Sequence, residues 1–146
     1  MTNLDIFVID YELSNINPNW WIEITNLFLK VGENFKATLD KKYISCINKD
    51  LASSDSLEIH LENNLIEVSG NLSEQMILNF YKNYRPYFNK DIDLYCEFYS
   101  LKIGKNYCSA HHGSQIYLTN LSNEVLGKVE KIILPLSDFL QIYKSW

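Results

Sequence analysis

The sequence predicts an α+β fold: a single domain spanning residues 1–146, with a mainly antiparallel sheet and about three helices. Three observations carry that expectation. Leu57 to Tyr84, LEIHLENNLIEVSGNLSEQMILNFYKNY, reads as a hairpin followed by a capped helix. Leu94 to Ile103, LYCEFYSLKI, alternates as a strand does. Beyond Asn17-Pro18, apolar residues recur at helical spacing.

The elements follow in chain order. Asp5 to Leu13 reads as a first strand, and its continuous apolar run Ile6-Phe7-Val8-Ile9 suits a strand covered on both faces. Ser14 to Asn19 is a break in which Asn17 caps and Pro18 opens a helix. Trp20, Ile24, Leu27, Phe28 and Val31 form the helix stripe, with Trp21 and Leu29 off it and Gly32 as a stop. Phe35 to Leu39 and Tyr43 to Ile47 are short strand candidates, and Lys49 to Ser56 is polar loop.

In the hairpin, Leu57, Ile59 and Leu61 alternate with Glu58, His60 and Glu62, so one face is oily and the other wet. Asn63-Asn64 makes a two-residue turn because Asn tolerates positive φ, and Ile66 and Val68 share one face of the return strand. Ser69-Gly70-Asn71 ends that strand. Ser73 is the expected N-cap, Glu74 suits the positive end of the helix dipole, and Leu72 and Ile77 have staple spacing. The inward stripe is Met76, Ile77, Phe80, Tyr81 and Tyr84, and Pro86 stops the helix.

Asn89 to Asp93 is read as a turn, Gly104 to Ser114 (GKNYCSAHHGS) as a polar loop, and Gln115 to Thr119 as a strand. Leu121 to Leu126 suggests a helical turn, and Lys128 to Leu134 fits strand or helix equally. Pro135-Leu136-Ser137 is expected to open a final helix, capped by Ser137 and burying Phe139, Leu140 and Tyr143.

Composition narrows the function classes. A hydrophobic content of 47% and an aromatic content of 14% exclude a disordered chain. The net charge of −5 and the single arginine, Arg85, argue against nucleic acid as the partner, which needs clustered cations for its phosphates. MTNLDIFVIDYEL carries acids where a signal peptide carries bases, and no apolar run reaches bilayer length, so a cytoplasmic protein with no membrane partner is expected. Three sparse cysteines, Cys46, Cys96 and Cys108, suit free thiols in a reducing compartment.

Few residues propose chemistry. Cys108 with His111 and His112 could form a thiolate nucleophile, set against a polar loop with an incidental thiol. Adding Cys96 gives a zinc set, but without the paired ligand spacing that structural zinc favours, so a buried free cysteine is preferred. No phosphate loop, dinucleotide fingerprint, zinc-protease or nucleophile-elbow motif is present, and no cofactor or metal is expected. Asp10 and Glu12 share one side of the first strand, as Glu58, His60 and Glu62 share one side of the hairpin. Solvated acidic faces explain both, and so does complementarity to a basic partner. Trp20 and Trp21 point about 100° apart on a helix, so one is expected in the core, and Trp21 either widens the buried face or sits at the surface as an interface anchor.

The hairpin–helix unit LEIHLENNLIEVSG–NLSEQMILNFYKNY, the strand DLYCEFYSL and the acidic α+β composition resemble bacterial immunity proteins of contact-dependent and other polymorphic toxin systems. That resemblance implies a non-catalytic cytoplasmic protein that binds and neutralises one cognate, basic toxin domain. The partner-binding residues would then be Trp21, Glu58, His60, Glu62, Asp10 and Glu12. The alternatives are an adaptor module of a bacterial assembly and a small enzyme using the Cys108–His111 loop.

Overall fold

The computed structural model describes residues 1–9, 19–43, 58–83, 87–89, 93–95 and 98–146, with side chains for all of these but 43 and those within 79–97. The strands are β1 (Thr2–Val8), β2 (Asn34–Asp40), β3 (Glu58–Glu62), β4 (Leu65–Asn71), β5 (Tyr87–Asn89), β6 (Asp93–Tyr95), β7 (Phe98–Ile103), β8 (Tyr107–Ala110), β9 (Gln115–Leu121) and β10 (Leu140–Ser145). The helices are α1 (Asn19–Asn26), α2 (Glu74–Asn83) and α3 (Asn123–Ile133). Eight strands make one antiparallel sheet in the order β10-β1-β9-β8-β7-β2-β4-β3, and β5 pairs with β6 separately. The α+β fold with a mainly antiparallel sheet is as the sequence predicts.

Antiparallel neighbours fix every strand direction. β1 and β2 therefore run the same way, as do β4 and β7, and β9 and β10. Each such pair is joined through one helix: α1, α2 and α3 respectively. The first crossover moves across the sheet one way on a descending strand, and the other two move back on ascending strands. Reversing both strand and step preserves the hand, so right-handed connections put all three helices on the same face. Burial agrees. Leu4, Ile6, Ile116, Leu118, Tyr107, Leu101, Ala37, Leu39, Ile66 and Val68 form one core with Trp21 and Ile24 of α1, Met76 of α2 and Val129 and Ile133 of α3.

The caps and turns follow local chemistry. The Ser73 hydroxyl accepts from Met76 N at 3.2 Å, Leu72 is buried beside it, and Asn63 has a φ of 54° in the hairpin turn. α3 is capped by Ser122, whose hydroxyl accepts from Val125 N, and it resolves Lys128 to Leu134 as helix.

Three expectations are corrected. No helix starts at Ser137. α3 runs into a short 3-10 turn at Leu134–Leu136, and Leu140–Ser145 is the edge strand β10, whose Leu140 and Ile142 pair with Val8 and Ile6. The loop read at Gly104 to Ser114 contains β8, because Tyr107 and Ser109 point into the core between β7 and β9. Leu94 to Ile103 is not one strand but parts of β6 and β7, which lie in different sheets. The strand read at Tyr43 to Ile47 falls outside the described residues except for Tyr43, which closes a 3-10 turn.

Both tryptophans of α1 are buried, Trp20 at 3% and Trp21 at 0% exposure. α1 packs between the sheet and α3, so its buried arc is wider than one stripe. Trp21 is therefore a core residue and not the surface anchor expected of it. Its indole Nε1–H donates to Ser109 Oγ at 2.9 Å, while the Thr25 and Tyr107 hydroxyls share a hydrogen bond of 2.6 Å. These two bonds tie α1 to β8 inside the core. Ser109→Ala removes the acceptor of a buried N–H, and we expect it to lower stability by about 1–3 kcal/mol. Chemical denaturation of the variant against the parent measures it, and a loss well under that range would show the bond to be dispensable.

Candidate functional site

The described helices lie on one face, and on the other face of the sheet none of the described side chains is buried. The register places them in order. Phe7, Tyr117 and Tyr143 lie near one end, where Phe7 meets both tyrosines edge-on at 5.8 Å. Cys108, Lys102 and Lys36 follow on neighbouring strands. Glu67, then Glu58, His60 and Glu62, complete the far end. Lys36 Nζ lies 3.2 Å from Glu67 Oε1. Among the described residues, Glu58, His60 and Glu62 form no ion pair of this kind, and they line shallow depressions with Thr38, Asn63 and Ser69.

β3 is the last strand of the sheet, and among the described residues it pairs with β4 alone. All five of its residues are exposed. Ile59 and Leu61 oppose Val68 and Ile66 and so share the helix-covered face, yet they are 49% and 57% exposed against 0% for their partners. The oily face read from the sequence exists, but it is bare. Charged side chains along a strand are a pattern by which edges resist unwanted pairing, and that signal was present in Glu58 and Glu62.

The other edge differs. At β10, Leu140 is buried, Ile142 is packed against the core, and Lys144 reaches Glu130 of α3 at 3.1 Å. There the helix closes over the apolar side.

The cysteine–histidine candidate comes apart. Cys108 sits on β8, half-buried, and burial pushes its thiol pKa up; the pull of Lys102 opposite only partly offsets this. The thiol is held protonated, the reverse of what a thiolate nucleophile needs. His111 and His112 turn instead to Tyr99, an extra residue bulged out of β7, and meet its ring edge-on at 5.6 and 5.4 Å. The backbone there is left-handed at His111, His112 and Gly113, with φ of 49°, 58° and 90°. Among the described residues, no group of three or more His, Cys, Asp or Glu is placed to hold a metal ion. Asp10, Glu12 and Cys96 lie outside the described residues.

Of the sequence-predicted partner residues, the structure thus brings Glu58, His60 and Glu62 together on one exposed edge and removes Trp21 to the core. Sequence reasoning missed the bare Ile59 and Leu61, and the Tyr99–His111–His112 group.

The raised Cys108 pKa has a defined sign. The folded state holds the thiol proton more tightly than the unfolded chain, so this contribution to stability is present below the unfolded thiol pKa and is lost as pH rises through the folded one. Stability should therefore fall on entering the alkaline range, and fall less in Cys108→Ala; identical pH profiles would show that the thiol is not perturbed.

No protein-family model matches the chain, and no curated protein matches it.

Proposed function

We propose that this protein is a non-catalytic binding protein of the immunity type, which neutralises a basic cognate toxin domain by docking it on the β3–β4 hairpin. The observation that carries the reading is β3 itself: an edge strand whose acids and apolar side chains are all exposed at one end of a well-packed sheet. Exposed Ile59, Leu61 and Leu65 supply apolar area, and Glu58 and Glu62 supply a negative field of the same sign as the whole chain. Such acids steer a basic partner and raise its association rate more than they lower its dissociation rate.

The test begins with affinity isolation of the tagged protein from its own cells, followed by reconstitution with the purified partner. A basic polypeptide that arrests growth, and that loses this activity at a 1:1 ratio with the protein, supports the reading. Glu58→Lys with Glu62→Lys should then slow association at least tenfold at low salt and much less at high salt. A partner that binds but keeps its activity would sink the inhibitory role. Association rates untouched by charge reversal would sink the docking face.

A further inference from the structure

The hydrogen-bond phase of the sheet shows what kind of partner the β3 edge accepts. Lys41 N donates to Asn64 O at 2.8 Å, and Leu72 N donates to Glu33 O at 2.8 Å. Even-numbered residues of β4 therefore direct their backbone groups to β2, and the odd-numbered ones, Leu65, Glu67 and Ser69, direct theirs to β3. Their partners Glu62, His60 and Glu58 are the bonded residues of β3. The N–H and C=O groups of Ile59 and Leu61 then point away from the sheet. Among the described residues nothing pairs with them, so the residues with half-exposed apolar side chains also carry open backbone donors and acceptors.

We infer that the hairpin takes its partner by strand addition, and that the incoming strand alternates basic and apolar residues in the order basic–apolar–any–apolar–basic. This rests on the docking face proposed above and specifies how that face is used. An added antiparallel strand bonds its apolar residues to Ile59 and Leu61 through both backbone groups and extends the apolar surface of Val68 and Ile66. On the open face, its outer residues fall opposite Glu58 and Glu62, where a lysine or arginine is favoured and an acid is opposed. A second copy of this chain is a poor occupant. Antiparallel pairing of two β3 strands centred on His60 sets each Glu58 against the Glu62 of the other copy, so the charge pattern that invites a basic strand repels itself.

The test uses the full chain and a hairpin-constrained peptide presenting Lys-Val-Thr-Val-Lys. The expected results are saturable binding and at least tenfold slower amide exchange at Ile59 and Leu61, with little change at His60, which is already in the ladder. Methylating the two valine amides should abolish binding, whereas methylating an outward-facing amide on the hairpin's second strand, which points away from β3, should leave it intact. A Glu-Val-Thr-Val-Glu hairpin should bind at least tenfold more weakly. Ile59→Pro removes an outward N–H and no ladder bond, at the cost of a half-exposed side chain, so it should retain the fold while losing the peptide. Should that variant unfold, the methylated peptides carry the test alone. Binding lost on Glu58→Lys and Glu62→Lys but indifferent to amide methylation would overturn strand addition and leave the acidic docking face standing. Equal binding of the acidic hairpin would overturn the charge pattern, and no binding of the basic hairpin at millimolar concentration would overturn the inference as a whole.

Discussion

Everything exposed in this molecule follows from where the crossovers go. Three connections, each joining strands that run the same way, have one handedness, and with these steps a common hand means a common face. A sheet so covered keeps all its buried side chains on one side. Among the described residues the other side buries no side chain, and it carries Lys36, Lys102, Glu67, Glu58 and Glu62 toward one edge and tyrosines toward the other. The helix layer also gives out before the last strand. α3 closes over β10, but the apolar side of β3 is left half in water. The edge proposed for docking is the margin of the helix-covered face.

The roof is held by more than apolar burial. Trp21 and Thr25 sit on adjacent turns of α1, and each places a polar atom against β8, at Ser109 and Tyr107. In a close-packed interior such bonds cost little when made and a good deal when one partner is missing, so they fix where the helix lies along the strand. Thr25 also donates to the carbonyl of Trp21 at 2.6 Å, linking the two anchors through the helix backbone. Together with the buried Trp20, Trp21, Ile22 and Ile24, these atoms hold the eight-residue helix against the sheet.

What the sequence disclosed was what is local. The hairpin at Asn63-Asn64 and the cap at Ser73 depend on residues within a few positions of each other, and both form as read. Ser137 misled because a serine followed by an acid is a sound helix start in isolation, yet Leu140 and Ile142 are claimed by Val8 and Ile6 from the opposite end of the chain. Tyr107 and Ser109 were hidden inside a polar stretch for the same reason: strands on both sides make a strand of it. The site was half legible. Alternation in Glu58 to Glu62 gave its two faces, but strand order decides which strand is the edge, and no short stretch encodes strand order. Trp21 shows the same limit, since a second packing surface, α3, widened the buried arc of its helix.

The position of β1 has a consequence for how the chain reaches this structure. Among the described strands β1 is made before the others, yet both of its neighbours, β9 and β10, lie beyond residue 114. During synthesis its apolar segment must wait on the ribosome with neither ladder filled, while the β3–β4 hairpin and α2, whose contacts are short-range, can already form. Folding should then proceed inward from the β3 end and finish at β1, with the slow, non-local closure coming last. The edge that is open in the mature protein is thus the part assembled first, and the strand most in need of protection is the one protected latest.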